Sequence, residues 1–181
     1  MTPDRESNQN RLLRAARMAD VSAIAAIHVS AWQAGYAGIV PDSYLQALSI
    51  EQHTDVWRGR IERAAFEVWL LEEHGHVRGW IAYGPPRATS AQPHPAEIYA
   101  IYVAPASWSL GIGQSLLCCA LERLAAQAYA SCYLWVLIAN ARSRRFYERA
   151  GFTADPSAVK SISIGTTALD EIRYHRPLLH P

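Results

Sequence analysis

The chain has 181 residues, half of them hydrophobic and 18% charged, which suits one folded core and excludes a disordered chain. Seventeen Lys and Arg against sixteen Asp and Glu leave a formal charge of +1, so the charge balance supports neither nucleic acid nor an anionic membrane as a partner. No apolar run approaches the roughly 20 residues of a membrane span, and the opening MTPDRESNQN lacks the apolar stretch of a signal peptide.

Residues 1–10 read as a disordered lead-in and 11–181 as one domain. Leu12–Ala16 is a short first strand. Asp20 is placed to cap a helix with Ile24, Ile27 and Ala31 on one face, ending near Gly35. Pro41 begins a short helical piece. Ser49 and Gln52 make a capping-box pattern ahead of a further helix, with Val56, Trp57 and Ile61 inward. Phe66–Glu72 and Val77–Gly84 read as a hairpin around residues 73–76. Residues 85–96 are the most loop-like stretch inside the domain. An apolar strand, Glu97–Val103, then runs through a Pro/Ser-containing turn into Gly111-Ile112-Gly113. A helix opens there, with Ile112, Leu116, Leu117, Ala120, Leu121 and Leu124 on one face. Tyr133–Val136 is a fifth strand and a helix opens at Ala141. Lys160–Ile164 and Glu171–His175 close the chain as a final pair of strands. This order fits an α/β fold with a mixed sheet.

Cys118, Cys119 and Cys132 are an odd number without metal-site spacing. Buried free thiols are expected, hence a reducing, cytoplasmic setting. No His pair has the H-E-x-x-H spacing of a zinc site, so no metal is expected.

The strand that passes through a Gly-rich turn into a helix leaves free backbone N–H groups at the helix start, where the dipole is positive. A phosphate or pyrophosphate suits that end. A P-loop is excluded because Gln114 and Ser115 follow Gly113 where Lys and Ser/Thr are needed. A dinucleotide fingerprint is excluded by Leu116 at its third glycine. What remains, Val103-Ala104-Pro105 followed by Trp108-Ser109-Leu110-Gly111-Ile112-Gly113, resembles the cofactor motif of the GNAT superfamily of acyl-CoA-dependent N-acyltransferases. Trp108 departs from the usual Arg or Gln. A second segment resembles the same family in the right order: Asn140, Ala141, Phe146-Tyr147-Glu148 and Gly151-Phe152 after the fifth strand.

The resemblance implies a single-domain GNAT fold: a mixed, mostly antiparallel sheet of about six to seven strands, splayed between the fourth and fifth, with about four to five helices. It implies acetyl-CoA as co-substrate and direct transfer of acetyl to a primary amine of a small molecule, without a covalent enzyme intermediate. Acetylation of a peptide N-terminus or lysine, and a non-catalytic acyl-CoA-binding module, are the alternatives. A homodimer is a further expectation by resemblance.

Residue by residue, Leu110, Gly111, Ile112, Gly113, Gln114 and Ser115 would form the pyrophosphate turn. The Val103 N–H, on a strand with Ile101 and Tyr102, would bind the thioester oxygen. Asn140 and Ser143 would contact the pantetheine arm or the adenosine end, although Asn140 also suits a helix N-cap. Tyr147 would be the general acid on the sulfur; otherwise it packs beside Phe146. Glu97 would be a base through water, or else a strand-end surface carboxylate. His28, Trp32, Tyr36 and Tyr44 would line the acceptor side, where aromatic faces suit a cationic amine or an apolar group. His28 on its helix also reads as an ordinary packed residue, and Asp42 as a routine first-turn acid. Trp57, Trp69, Trp80 and Trp135 read as core. Arg142, Arg144, Arg145 and Arg149 read as a solvated helix face, with one or two in reach of the 3′-phosphate of coenzyme A.

Overall fold

The computed structural model describes residues 11–87 and 95–178; the lead-in at 1–10 and most of the expected loop at 85–96 lie outside the described residues. Seven strands form one sheet: β1 (Arg11–Ala15), β2 (Glu67–Glu73), β3 (His76–Gly84), β4 (Ala96–Val103), β5 (Ser131–Leu137), β6 (Thr153–Ile164) and β7 (Thr167–Pro177). Their order across the sheet is β1-β2-β3-β4-β5-β7-β6. Five helices flank it: α1 (Val21–Gly35), α2 (Asp42–Gln46), α3 (Ile50–Arg63), α4 (Ile112–Ala126) and α5 (Ala141–Arg149).

Neighbouring strands run antiparallel except β4 and β5. Those two pair in parallel, and only at Ala96–Cys132 and Glu97–Tyr133. Beyond Glu97 they part and leave a wedge. A bulge helps to bend β4 away: Ala82 pairs with Ala100 but Tyr83 with Ile98, so Tyr99 is an extra residue.

Each face of the sheet carries its own core. On one face, all six apolar positions expected on α4 are buried, packed with Ile81, Leu134 and Tyr174 of the sheet and with Tyr147 and Phe152. On the other, Ile24 and Ile27 of α1 and Trp57 of α3 pack on Leu70 and Trp80. Gly79 lets α4 lie close: a Cβ there would sit 2.9 Å from the Tyr102 carbonyl oxygen and 3.1 Å from Leu116. A third cluster joins Val40 and Leu45, around α2, to Leu137 and to Ile164 at the tip of the β6–β7 hairpin.

Several local expectations are corrected. Asp20 precedes α1 but makes no side-chain cap; its carboxylate instead accepts from Arg14 at 2.7 and 2.8 Å and from the Arg17 N–H. The Arg14 guanidinium holds that carboxyl below its usual range. Ser49 does cap α3, accepting from the Gln52 N–H at 3.2 Å, and Trp57 is buried, but Val56 is 48% exposed. Cys118 is exposed and Cys119 half-buried, so only Cys132 fits the expected buried thiol; position 118 falls off the apolar stripe of α4. The last two strands are far longer than expected. Pro156 marks a break by sequence, yet β6 continues through it on the sheet edge, with a register shift between Asp155 and Val159.

Candidate active site

A cavity of about 760 Å³ fills the wedge, lined by β4 from Ile98 to Val103, by β5 from Leu134 to Leu137, and by the starts of α4 and α5. The strand geometry aims backbone at it. Ala104 donates its N–H to Arg78 on β3 at 2.8 Å. Alternation along the strand therefore turns the N–H groups of Ile101 and Val103 to the opposite edge, into the wedge.

At one end lies the glycine turn. Gly111, at φ 79°, is the N-cap of α4, and the helix takes up its ladder at Ser115, which bonds back to the Gly111 carbonyl at 3.0 Å. The N–H groups of Ile112, Gly113 and Gln114 precede that first rung and have no acceptor within the helix. A Cβ at Gly111 would meet nothing within 4 Å, and one at Gly113 only ordinary contacts with Phe146 and Val103. The protein itself therefore does not require bare backbone at 113, and the open surface fits a phosphate laid against the helix start. Gly111, Ile112, Gly113 and Gln114 line the cavity, as do Ile101, Tyr102, Val103, Asn140, Ser143 and Tyr147. Leu110 and Ser115 do not: the Leu110 carbonyl accepts from Arg11 at 3.1 Å, and the Ser115 hydroxyl donates back to the Gly111 carbonyl at 3.3 Å.

Trp108, a departure in sequence, lines the same end. Its indole N–H donates to the Val103 carbonyl at 2.8 Å, satisfying a strand-edge acceptor that the parting of β4 and β5 leaves without a partner. The Arg142 guanidinium lies 3.7 Å over its ring. Arg142, Arg145 and Arg149, at helical spacing, all face the cavity. Arg144 does not; it is turned to the Tyr174 hydroxyl and the Ile138 carbonyl. The solvated face expected of these arginines is thus the basic rim of the cavity.

Asn140 caps α5, its Oδ1 accepting from the Ser143 N–H at 3.0 Å. It is 6% exposed yet lines the cavity, so the capping and ligand-facing positions coincide in one residue. Tyr147 is 8% exposed and lies edge-on to Phe146 and Phe152. Burial first, and then Tyr36, push its phenol well above the ordinary value, so it stays protonated through the neutral range.

The other end is aromatic. Tyr36 lines it. Burial raises the Tyr36 phenol, the neighbouring Tyr102 hydroxyl opposes that, and the Glu171 charge raises it further. The other three acceptor candidates stand behind the cavity wall. Trp32 donates its indole N–H to the Tyr102 hydroxyl at 2.8 Å and packs against Tyr36 and Tyr44. His28 stacks on Tyr102 at 4.9 Å, and its Nδ1 accepts from Trp57 Nε1 at 3.2 Å, which leaves the ring proton on Nε2. Burial, then His53 and Arg60, bring its imidazole down to about 3, so it is a neutral packing residue at physiological pH.

Glu97 is neither a surface carboxylate nor part of the cavity lining. It is 2% exposed at the closed end of the wedge, where β4 and β5 still pair. Its carboxylate accepts from the Arg87 backbone N–H at 2.8 Å, the Arg87 side chain at 2.9 Å and the Tyr133 hydroxyl at 3.1 Å. Sequence reasoning missed Glu171 on β7 and Trp135 on β5, both of which line the cavity. Neither carries a local signal: Glu171 reads as one charge in an alternating strand and Trp135 as core.

Comparison with known proteins agrees with this geometry. The sequence matches the acetyltransferase (GNAT) family over residues 25–152. It is 32% identical over 151 residues to "Probable N-acetyltransferase Rv2775" of Mycobacterium tuberculosis, covering 81% of this chain and 82% of that protein. It is 29% identical over 160 residues to the uncharacterized N-acetyltransferase YuaI of Bacillus subtilis, covering 88% and 89%. Among solved structures, a ribosomal-protein-alanine N-acetyltransferase from Brucella melitensis superposes with TM-score 0.73 at 25% identity, over 92% of this chain and 99% of that one. The PaiA N-acetyltransferase of Thermoplasma acidophilum, solved with coenzyme A, shares the fold at TM-score 0.72 and 18% identity, over 93% and 99%. With its motifs gathered around one wedge between β4 and β5, and a family match across most of its length, the chain belongs to the GNAT family of acetyltransferases.

Proposed function

We propose that the chain moves acetyl from acetyl-CoA to a primary amine of a small molecule, directly and within a ternary complex. The observation that carries this reading is the apolar cluster that backs one side of the cavity. Val40 and Leu45 pack against Leu137 and Ile164, with Trp32, Tyr36 and Tyr44 around them. The β6–β7 hairpin is thereby pinned to the α1–α2 connection, and a cavity bounded on that side, with Tyr36, Trp135 and Glu171 in its wall, suits a small amine better than a peptide.

When bound, acetyl-CoA supplies the acyl group as a thioester. The N–H groups of Ile112, Gly113 and Gln114 receive its pyrophosphate, and Asn140 and Ser143 its pantetheine arm. The Val103 N–H, already turned into the wedge, stabilises the oxyanion as the amine attacks. Tyr147, kept protonated by burial, donates a proton to the leaving thiolate. Glu97 sits in an ion pair away from the cavity; its role is to fix the closed end of the wedge, and the attacking amine sheds its proton to water.

Acetylation of a peptide N-terminus is the second reading, supported by the name of the Brucella melitensis relative. Release of CoA from acetyl-CoA, measured with a panel of small amines and of short peptides, separates the two. Turnover with small amines and none with peptides is expected. Faster turnover of peptides overturns the small-molecule reading, and acetyl-CoA binding without turnover of any amine leaves a binding module.

A further inference from the structure

Lys160 is the single lysine of the chain; it lies directly across from Glu171 in the β6–β7 pair, and its ammonium sits beside two residues of the cavity wall. Nζ lies 3.4 Å from Glu171 Oε2 and 4.0 Å from the centre of the Trp135 ring. Glu171 and Trp135 both line the cavity, and Glu171 is the one carboxylate to do so among the described residues. Lys160 itself is on the edge strand β6 with its side chain 42% exposed, whereas that of Glu171 is 18% exposed. A carboxylate beside an indole face is a receptor for a primary ammonium, and the fold shows one seated there on a flexible stem.

We propose that Glu171 and Trp135 form a subsite for a second, non-reacting ammonium of the acceptor, which makes the preferred acceptor a diamine. This rests on the acetyl-transfer reading given above. An amine held against a carboxylate is stabilised in its charged form and cannot attack a thioester, so the group bound by Glu171 is not the one that reacts. The reacting amine lies nearer Tyr147, which lines the same cavity as Tyr36 and Glu171. The cavity is polarised to match. Arg142, Arg145 and Arg149 face it at the phosphate end and Glu171 at the other, so an acceptor bearing a carboxylate meets the wrong charge. Lys160 keeps the subsite occupied in the free protein, and a substrate ammonium replaces it like for like.

The test is equilibrium binding by calorimetry, on the full chain saturated with CoA, so that no turnover is needed. The probes are α,ω-diamines of about three to eight carbons and their matched monoamines. In the unaltered protein the best diamine is expected to bind about tenfold tighter than its monoamine, the worth of one charge-assisted hydrogen bond. Glu171→Gln is expected to bring that ratio to about one, and Lys160→Met, which frees the carboxylate, to raise it. An unchanged ratio in Glu171→Gln, or no binding of any diamine, overturns the subsite. Diamine binding that depends on Glu171 without acetyl transfer would keep the subsite and remove the enzymatic reading. Transfer with no diamine preference would do the reverse.

Discussion

The two ends of the cavity are built in different ways. The glycine-turn end comes from two continuous strand–turn–helix stretches, β4 into α4 and β5 into α5, and each carries cavity-lining groups at the turn. The acceptor end is assembled from α1, the α1–α2 connection, β5 and the β6–β7 hairpin, segments from both halves of the chain that meet only in the folded state. A group of fixed chemistry, such as a pyrophosphate, can be held by a local backbone motif. A pocket that must suit one acceptor among many is made of parts free to vary separately.

Five experiments put that contrast to the test. Tyr147→Phe has the largest expected effect: turnover falls by roughly 10²–10⁴, while calorimetric affinity for acetyl-CoA holds. Retained turnover would reduce Tyr147 to a packing residue. At the other end, Leu45→Ala opens a hole in the cluster around Leu137 and Ile164 and is expected to cost about 2–4 kcal/mol in urea unfolding. The acceptor KM should rise with acetyl-CoA affinity unchanged; equal loss of both would mean that the two ends are not independent.

His28 tests the wall behind the acceptor end by pH. Its imidazole is held at about 3, below the ordinary 6.5, so the neutral ring favours the fold. That contribution is complete above pH 6.5 and is lost as pH falls toward 3, by up to about 1.4 kcal/mol per pH unit. His28→Gln should flatten stability against pH in that window; an identical slope would assign the acid sensitivity to other groups. Gly113→Ala is expected to weaken acetyl-CoA binding about tenfold without lowering the thermal midpoint, because its Cβ meets only ordinary contacts within the protein. A collapse in stability would make the glycine a packing requirement. Trp108→Phe keeps the ring under Arg142 but removes the donor to Val103, and a loss of about 1 kcal/mol in unfolding free energy is the expected size.

Legibility in the sequence follows the same division. The α4 stripe, the glycine turn and the Asn140 cap of α5 were readable because helix periodicity and turn chemistry act over a few residues, whereas Tyr147 was singled out only by the family resemblance. The full length of β6 was not, because Pro156 signals an end while the bulge that absorbs it depends on pairing with β7. Asp20 looked like a cap because the competing Arg14 arrives from a different element. Glu97 looked like a free strand-end acid for the same reason: Arg87 and Tyr133 come to it only through the sheet. Glu171, Trp135 and Lys160 converge through the pairing of three strands, and no local pattern encodes such a meeting.

Because β4 and β5 share only two rungs, the sheet is hinged like a book with a short spine. Strands β1–β4 form one cover and β5, β7 and β6 the other. Little backbone holds the covers at a fixed angle, so that duty falls to α4, α5 and whatever fills the gap between them. A ligand touching both covers acts as a clasp. At roughly a hundred times its Kd it adds about 2.7 kcal/mol against unfolding, and the amides beside the spine, at Cys132 and Tyr133, are where slowed hydrogen exchange registers its arrival.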